Sequence, residues 1–164
     1  MKKFKPLDDV DSVLPILSRI SFLGGIADAN REIIFKRFET ASFGAGEYVA
    51  RQGEEPSHIY IIYRGRVELC IADAGHTVHK RSFEVGDCFG EAAMLSLINN
   101  TASFIALEPT ELIMLSWRGL NQLRAEAPHV FCQLILNLAR DLARKLQYTD
   151  EMLLRLRDLP EADS

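Results

Sequence analysis

Apolar residues change their period twice along this chain. Over the first forty residues Val13, Leu14, Ile16 and Leu17, and then Ile33, Ile34, Phe35 and Phe38, recur at helical spacings. They are separated by Gly24-Gly25, and Asp28 stands where a cap for the second segment belongs. From about residue 39 to 115 the period falls to two. Val67, Leu69 and Ile71 alternate with Arg66, Glu68 and Cys70, while Ala102, Phe104 and Ala106 alternate with Ser103 and Ile105, so each strand has one face to bury. Residues 58–63 are apolar almost throughout, as in a strand covered on both sides. Glycines at 44, 46, 53, 65, 75 and 86 punctuate this stretch, and turns at such regular intervals suggest a sandwich or barrel. After Ser116, a helix cap, the helical period returns. Leu120 and Leu123 lead to Pro128, which opens a second helix striped by Phe131, Ile135, Leu138, Leu142, Leu146, Leu153 and Leu156. Continuous to Arg157, that helix is about 45 Å long.

The pattern divides the chain into a helical lead-in (1–38), a β unit (39–116), C-terminal helices (117–158) and an acidic tail (159–164) expected to be disordered. The fold class is mainly β with flanking helices. Arg140, Asp141, Arg144 and Lys145 are assigned to the wet faces of the last helix.

Composition narrows the function. The 164 residues carry a net charge of -4, without the clustered cations that nucleic acid demands, so no nucleic-acid partner is expected. No stretch approaches the roughly 20 apolar residues of a membrane span, and the amino terminus lacks a signal-peptide core. With Cys70, Cys88 and Cys132 too scattered for a disulfide framework, a cytoplasmic location is expected. Asn99-Asn100-Thr101 matches a glycosylation sequon but lacks a secretory context. Neither a metal-ligand spacing among His58, His76, His79 and His129 nor a nucleophile motif is present, so neither a metal nor an enzyme is expected.

One segment carries chemistry. Val85-Gly86-Asp87-Cys88-Phe89-Gly90-Glu91-Ala92-Ala93-Met94-Leu95 leads through Asn99-Asn100 into Thr101-Ala102-Ser103-Phe104-Ile105-Ala106. It resembles the ligand pocket of the cyclic nucleotide-binding family, in which a Phe-Gly-Glu element and a short helix precede Pro-Arg-Thr/Ala-Ala. Gly44-Ala45-Gly46-Glu47 and the run from Tyr60 to Gly65 extend the resemblance. It implies a β-roll, or double-stranded β-helix, with a pocket for cyclic AMP or cyclic GMP and no further cofactor. It also implies that Glu91 accepts a ribose hydroxyl, that Gly90 lets the backbone approach the sugar, and that the amides of Ala92 and Ala93 face the phosphate. Phe89, Thr101 and Ala102 complete the implied ligand-binding set.

The chain departs from the family at Asn100, which stands where an Arg forks the phosphate, and at Asn99, where Pro stands. An amide donates but does not neutralise, so the resemblance implies weak cyclic nucleotide binding or a different small anionic ligand. Arg64, Arg66, Lys80 and Arg81 are candidates to replace the charge. In the plainer reading Glu91 only caps its helix, Thr101 is only a strand residue and the pocket has degenerated into a protein-interaction module. The length of the last helix points to a homodimer. Relatives append effectors after that helix, so any effector here is expected to be a separate protein.

Overall fold

A computed structural model describes residues 4–7, 9–17, 19–73 and 76–157. Within it β1 (Lys5–Pro6), α1 (Val10–Leu17), a 3₁₀ turn (Ser21–Leu23) and α2 (Asp28–Phe35) precede the strands. Then come β2 (Phe38–Phe43), β3 (Tyr48–Ala50), β4 (His58–Arg64), β5 (Val67–Asp73), β6 (His76–Phe83) and β7 (Cys88–Phe89). A short helix, α3 (Glu91–Ser96), separates these from β8 (Ser103–Ala106) and β9 (Thr110–Ser116), and α4 (Trp117–Glu126) and α5 (Pro128–Arg157) complete the described residues. The strands form two antiparallel sheets, ordered β1-β2-β9-β4-β7 and β3-β8-β5-β6.

The apolar run at 58–63 has a direct explanation. In β4 and β9, Ile59, Ile61, Ile113 and Leu115 face a core shared with the helices, whereas Tyr60, Ile62, Leu112 and Met114 face the interior between the sheets. A strand with two dry faces needs apolar side chains at every position. Ser116 caps α4, its hydroxyl accepting from the Gly119 amide at 3.2 Å, and Pro128 opens a 30-residue α5. Phe104 and Ala106 are buried, with Ser103 and Ile105 between them half-buried, as the alternation in β8 requires.

Three local expectations need correction. Asp28 is the first residue of α2 and Ala27 occupies the cap without a side-chain bond. The lead-in also contains a strand, β1, whose Lys5 pairs with Thr40; two residues are too short to show a period. In β5 the alternation breaks at a bulge between Leu69 and Cys70, which buries Cys70 and leaves Ile71 half-exposed.

Candidate functional site

The turn into the pocket segment pivots on Gly90. Its φ is +84°, and a Cβ there would stand 2.8 Å from the His58 carbonyl oxygen and 2.9 Å from the Tyr60 ring. Close packing on β4 therefore requires glycine here irrespective of any ligand. The Gly90 carbonyl accepts from the Met94 amide at 3.2 Å, closing the first turn of α3.

Glu91 opens α3 and is 4% exposed. A carboxylate buried this far needs a partner, and it comes from 54 residues further along the chain. Lys145 of α5 donates to Glu91 Oε1 at 2.6 Å, to Asp141 Oδ2 at 3.0 Å and to the Cys88 carbonyl at 3.2 Å. Asp141 in turn accepts from Ser21 Oγ at 2.7 Å. One ammonium, with two hydrogen bonds and an ion pair to Asp141, thus straps α5 to β7, α3 and, through Asp141, the 3₁₀ turn. Burial pulls the Lys145 pKa down, but the two carboxylates outweigh it and hold the ammonium above its ordinary value. For Asp141 burial acts upward, and the bonds from Ser21 and Lys145 outweigh it and lower the pKa. Burial and the Glu91 charge push the Cys88 thiol well up, so it stays protonated, 3.9 Å from Glu91 Oε2. Asp141 and Lys145 are thus not on a wet face: Asp141 is buried and Lys145 partly so.

The far end of the segment is built from backbone. The Asn100 amide donates to the Glu54 carbonyl at 2.9 Å, the Gly53 amide donates to the Asn100 carbonyl at 2.8 Å, and Asn99 Nδ2 donates to the Gly53 carbonyl at 2.8 Å. Asn100 is 8% exposed. Burial raises the Tyr60 hydroxyl pKa, the bond with the Ser57 hydroxyl offsets part of this, and the Glu54 charge adds a smaller upward push. Ala92 and Thr101 are exposed, Ala93 is half-buried and Ala102 buried.

Between the two ends Phe89 is stacked on Tyr60 (centroids 5.0 Å apart) and on Phe104 (4.6 Å), with Phe83 tilted beside both phenylalanines. Phe89 is thus a core ring. A 540 Å³ cavity opens between α1 and α2, lined by Leu7, Val10, Leu14 and Phe35, with neither Glu91 nor Asn100 in its wall. Among the described residues no group of three His, Cys, Asp or Glu could hold a metal ion.

Of the cations suggested as replacements for the missing Arg, Arg64 faces Glu111 at 3.5 Å and Arg66 is exposed. The Lys80 side chain lies outside the described residues. Arg81 packs its guanidinium 4.8 Å from the Phe83 ring centroid and lines a cavity with Lys145. Sequence reasoning missed Lys145. Its only local signal, an acid four residues earlier, is shared by many exposed helices.

The cyclic nucleotide-binding domain profile matches residues 40–127, from β2 to the end of α4. The chain belongs to that family. Human cGMP-dependent protein kinase 2 is 29% identical over 94 residues, which is 56% of this chain and 12% of the kinase. The chain thus spans only a small part of the curated relatives it matches. A cyclic nucleotide-binding domain from Methylobacillus flagellatus superposes with a TM-score of 0.81 at 18% identity, over 99% of this chain and 92% of that one, which supports the β-roll fold. The regulatory subunit of a cAMP-independent protein kinase A from Trypanosoma cruzi, bound to guanosine, is 26% identical with a TM-score of 0.64. That match covers 74% of this chain and 42% of the other. No helix among the described residues is long and apolar enough to cross a membrane.

Proposed function

We propose that this chain is a regulatory ligand-binding domain whose pocket, between Glu91 and Asn100, favours a neutral nucleoside over a cyclic nucleotide. The observation that carries this reading is Asn100, buried at the position where the resemblance puts the phosphate-binding Arg and bonded there to the backbone of Gly53 and Glu54. A neutral ribose ligand keeps the use of Glu91 as a hydroxyl acceptor and needs no phosphate counter-charge. The small anionic ligand expected from sequence would meet a neutral amide at this end. The guanosine-bound Trypanosoma relative is consistent with that shift.

Calorimetric titration of guanosine, adenosine, cyclic AMP and cyclic GMP into wild type and Asn100→Arg tests the reading. The wild type is expected to bind a nucleoside at least as tightly as its cyclic nucleotide. Asn100→Arg, once its melting curve shows it folded, should raise cyclic nucleotide affinity about ten- to a hundredfold and leave nucleosides unchanged. Wild-type binding of cyclic AMP tenfold tighter than adenosine sinks it.

The stack of Phe89 with Tyr60 and Phe104 favours a second reading, a pocket filled by its own core and a domain that only holds partners. Absence of binding to both proteins would select it. In either case the output runs through α5, whose outer residues Leu146, Met152, Leu153 and Leu154 are exposed and suit a homodimer seam. Sedimentation should show a dimer in the full chain and a monomer in the Leu146→Glu/Leu153→Glu variant.

A further inference from the structure

A second cluster lies outside that pocket, in the cleft between α5, β6 and the turn before β7. Two adjoining cavities of about 190 and 260 Å³ share Arg81, Asp141 and Lys145 in their walls. Arg19 closes the first, and Arg144 and Tyr148 close the second. Arginines from three separate parts of the chain therefore line the cleft: Arg19, after α1, in the first cavity, Arg144 of α5 in the second, and Arg81 of β6 in both. None of the three has a salt-bridge partner among the described residues, unlike Arg31 with Asp28, Arg37 with Glu126 and Arg64 with Glu111.

The carboxylates nearby do not remove this excess. Asp141 and Glu91 share the one Lys145, which leaves a single negative charge there, and Asp87, whose Oδ2 accepts from the Glu84 amide at 2.8 Å, adds a second; three arginines against these two still leave the cleft one positive charge in excess. Like charges brought together repel and give no stability of their own, so their convergence in an acidic chain calls for an anion. We propose that this cleft binds the phosphate group of a small molecule, a phosphomonoester or a pyrophosphate. A guanidinium cluster matches such polyanions through paired N–H donors. Cavities of this size take a phosphate or two rather than a polymer. The exposed ring of Tyr148 stands at the rim, where a base or another planar group attached to the phosphate would stack.

The test uses the full chain, with inorganic pyrophosphate and AMP as probes in calorimetry at low and at physiological salt. Pyrophosphate should bind the wild type, more weakly as salt rises. Arg81→Gln and Arg144→Gln should each weaken it about tenfold, with unchanged melting temperatures without ligand. Excess guanosine should leave pyrophosphate binding to the wild type as it was, which separates this cleft from the nucleoside pocket. AMP binding tighter than pyrophosphate, and reduced by Tyr148→Ala, identifies a nucleotide as the phosphate source; the reverse order identifies an inorganic polyphosphate. No binding of either probe at low salt, or binding that neither arginine variant weakens, overturns the site.

Discussion

The two ends of the segment from Gly90 to Ala102 are held in opposite ways. At one end a buried carboxylate, Glu91, depends on a lysine from the last helix. At the other a buried amide residue, Asn100, depends on backbone bonds to the loop at Gly53 and Glu54. Among the described residues the ion-pair partner of Glu91 is Lys145, so that end is coupled to α5. A neutral residue is satisfied by any carbonyl or amide within reach, so the other end is coupled only to its neighbouring loop. The charged end is thus the one through which binding in the pocket would be felt by the helix.

The largest effect expected of this contrast follows from removing the counter-charge. Lys145→Met leaves Glu91 buried and unpaired and should cost about 3 kcal/mol in urea unfolding, and Glu91→Gln in that background should recover most of it. A single Lys145→Met as stable as wild type would show that the strap is idle.

Next comes the pivot. Gly90→Ala forces a side chain into the left-handed region and against the His58 carbonyl and Tyr60 ring, at an expected cost of about 2 kcal/mol by thermal denaturation. An unchanged melting temperature would mean that this turn can move away from β4.

Titration sharpens the contrast further. The Asp141 pKa is lowered on folding, so its contribution to stability is present above the ordinary carboxylate pKa and is lost as pH falls through that value towards the folded one. The Lys145 pKa is raised, so its contribution is whole below the ordinary lysine pKa and lost as pH rises through the folded value. Asp141→Asn should flatten the acid limb of a stability–pH profile, whereas Asn100→Ala should leave its shape alone. The smallest effect belongs to the neutral end: Asn99→Ala loses an exposed hydrogen bond and should cost about 0.5–1 kcal/mol, read as a small shift in urea midpoint.

Much of the fold was legible because periodicity is a local property. The two-faced strand at 58–63, the Ser116 cap and the Pro128 start each follow from residues within one turn or one strand. The bulge at Cys70 and the pairing of β1 were not legible, since both are set by the partner strand. At the site, Gly90 was expected on sequence to serve a ligand. The tertiary packing gives it another reason, because only the folded chain brings the His58 carbonyl and Tyr60 within 3 Å of its missing Cβ.

The sequence by itself determined the family and, β1 apart, the order of helices and strands, both of which are properties of residue type and spacing. Only the tertiary structure decided what Glu91 touches, which way Phe89 spends its ring, and that Arg81 shares one cavity with Arg19 and another with Arg144. Those depend on contacts between residues tens of positions apart. The burial that turns a lysine on a helix into the counter-ion of a carboxylate in α3 exists only once α5 lies against the roll.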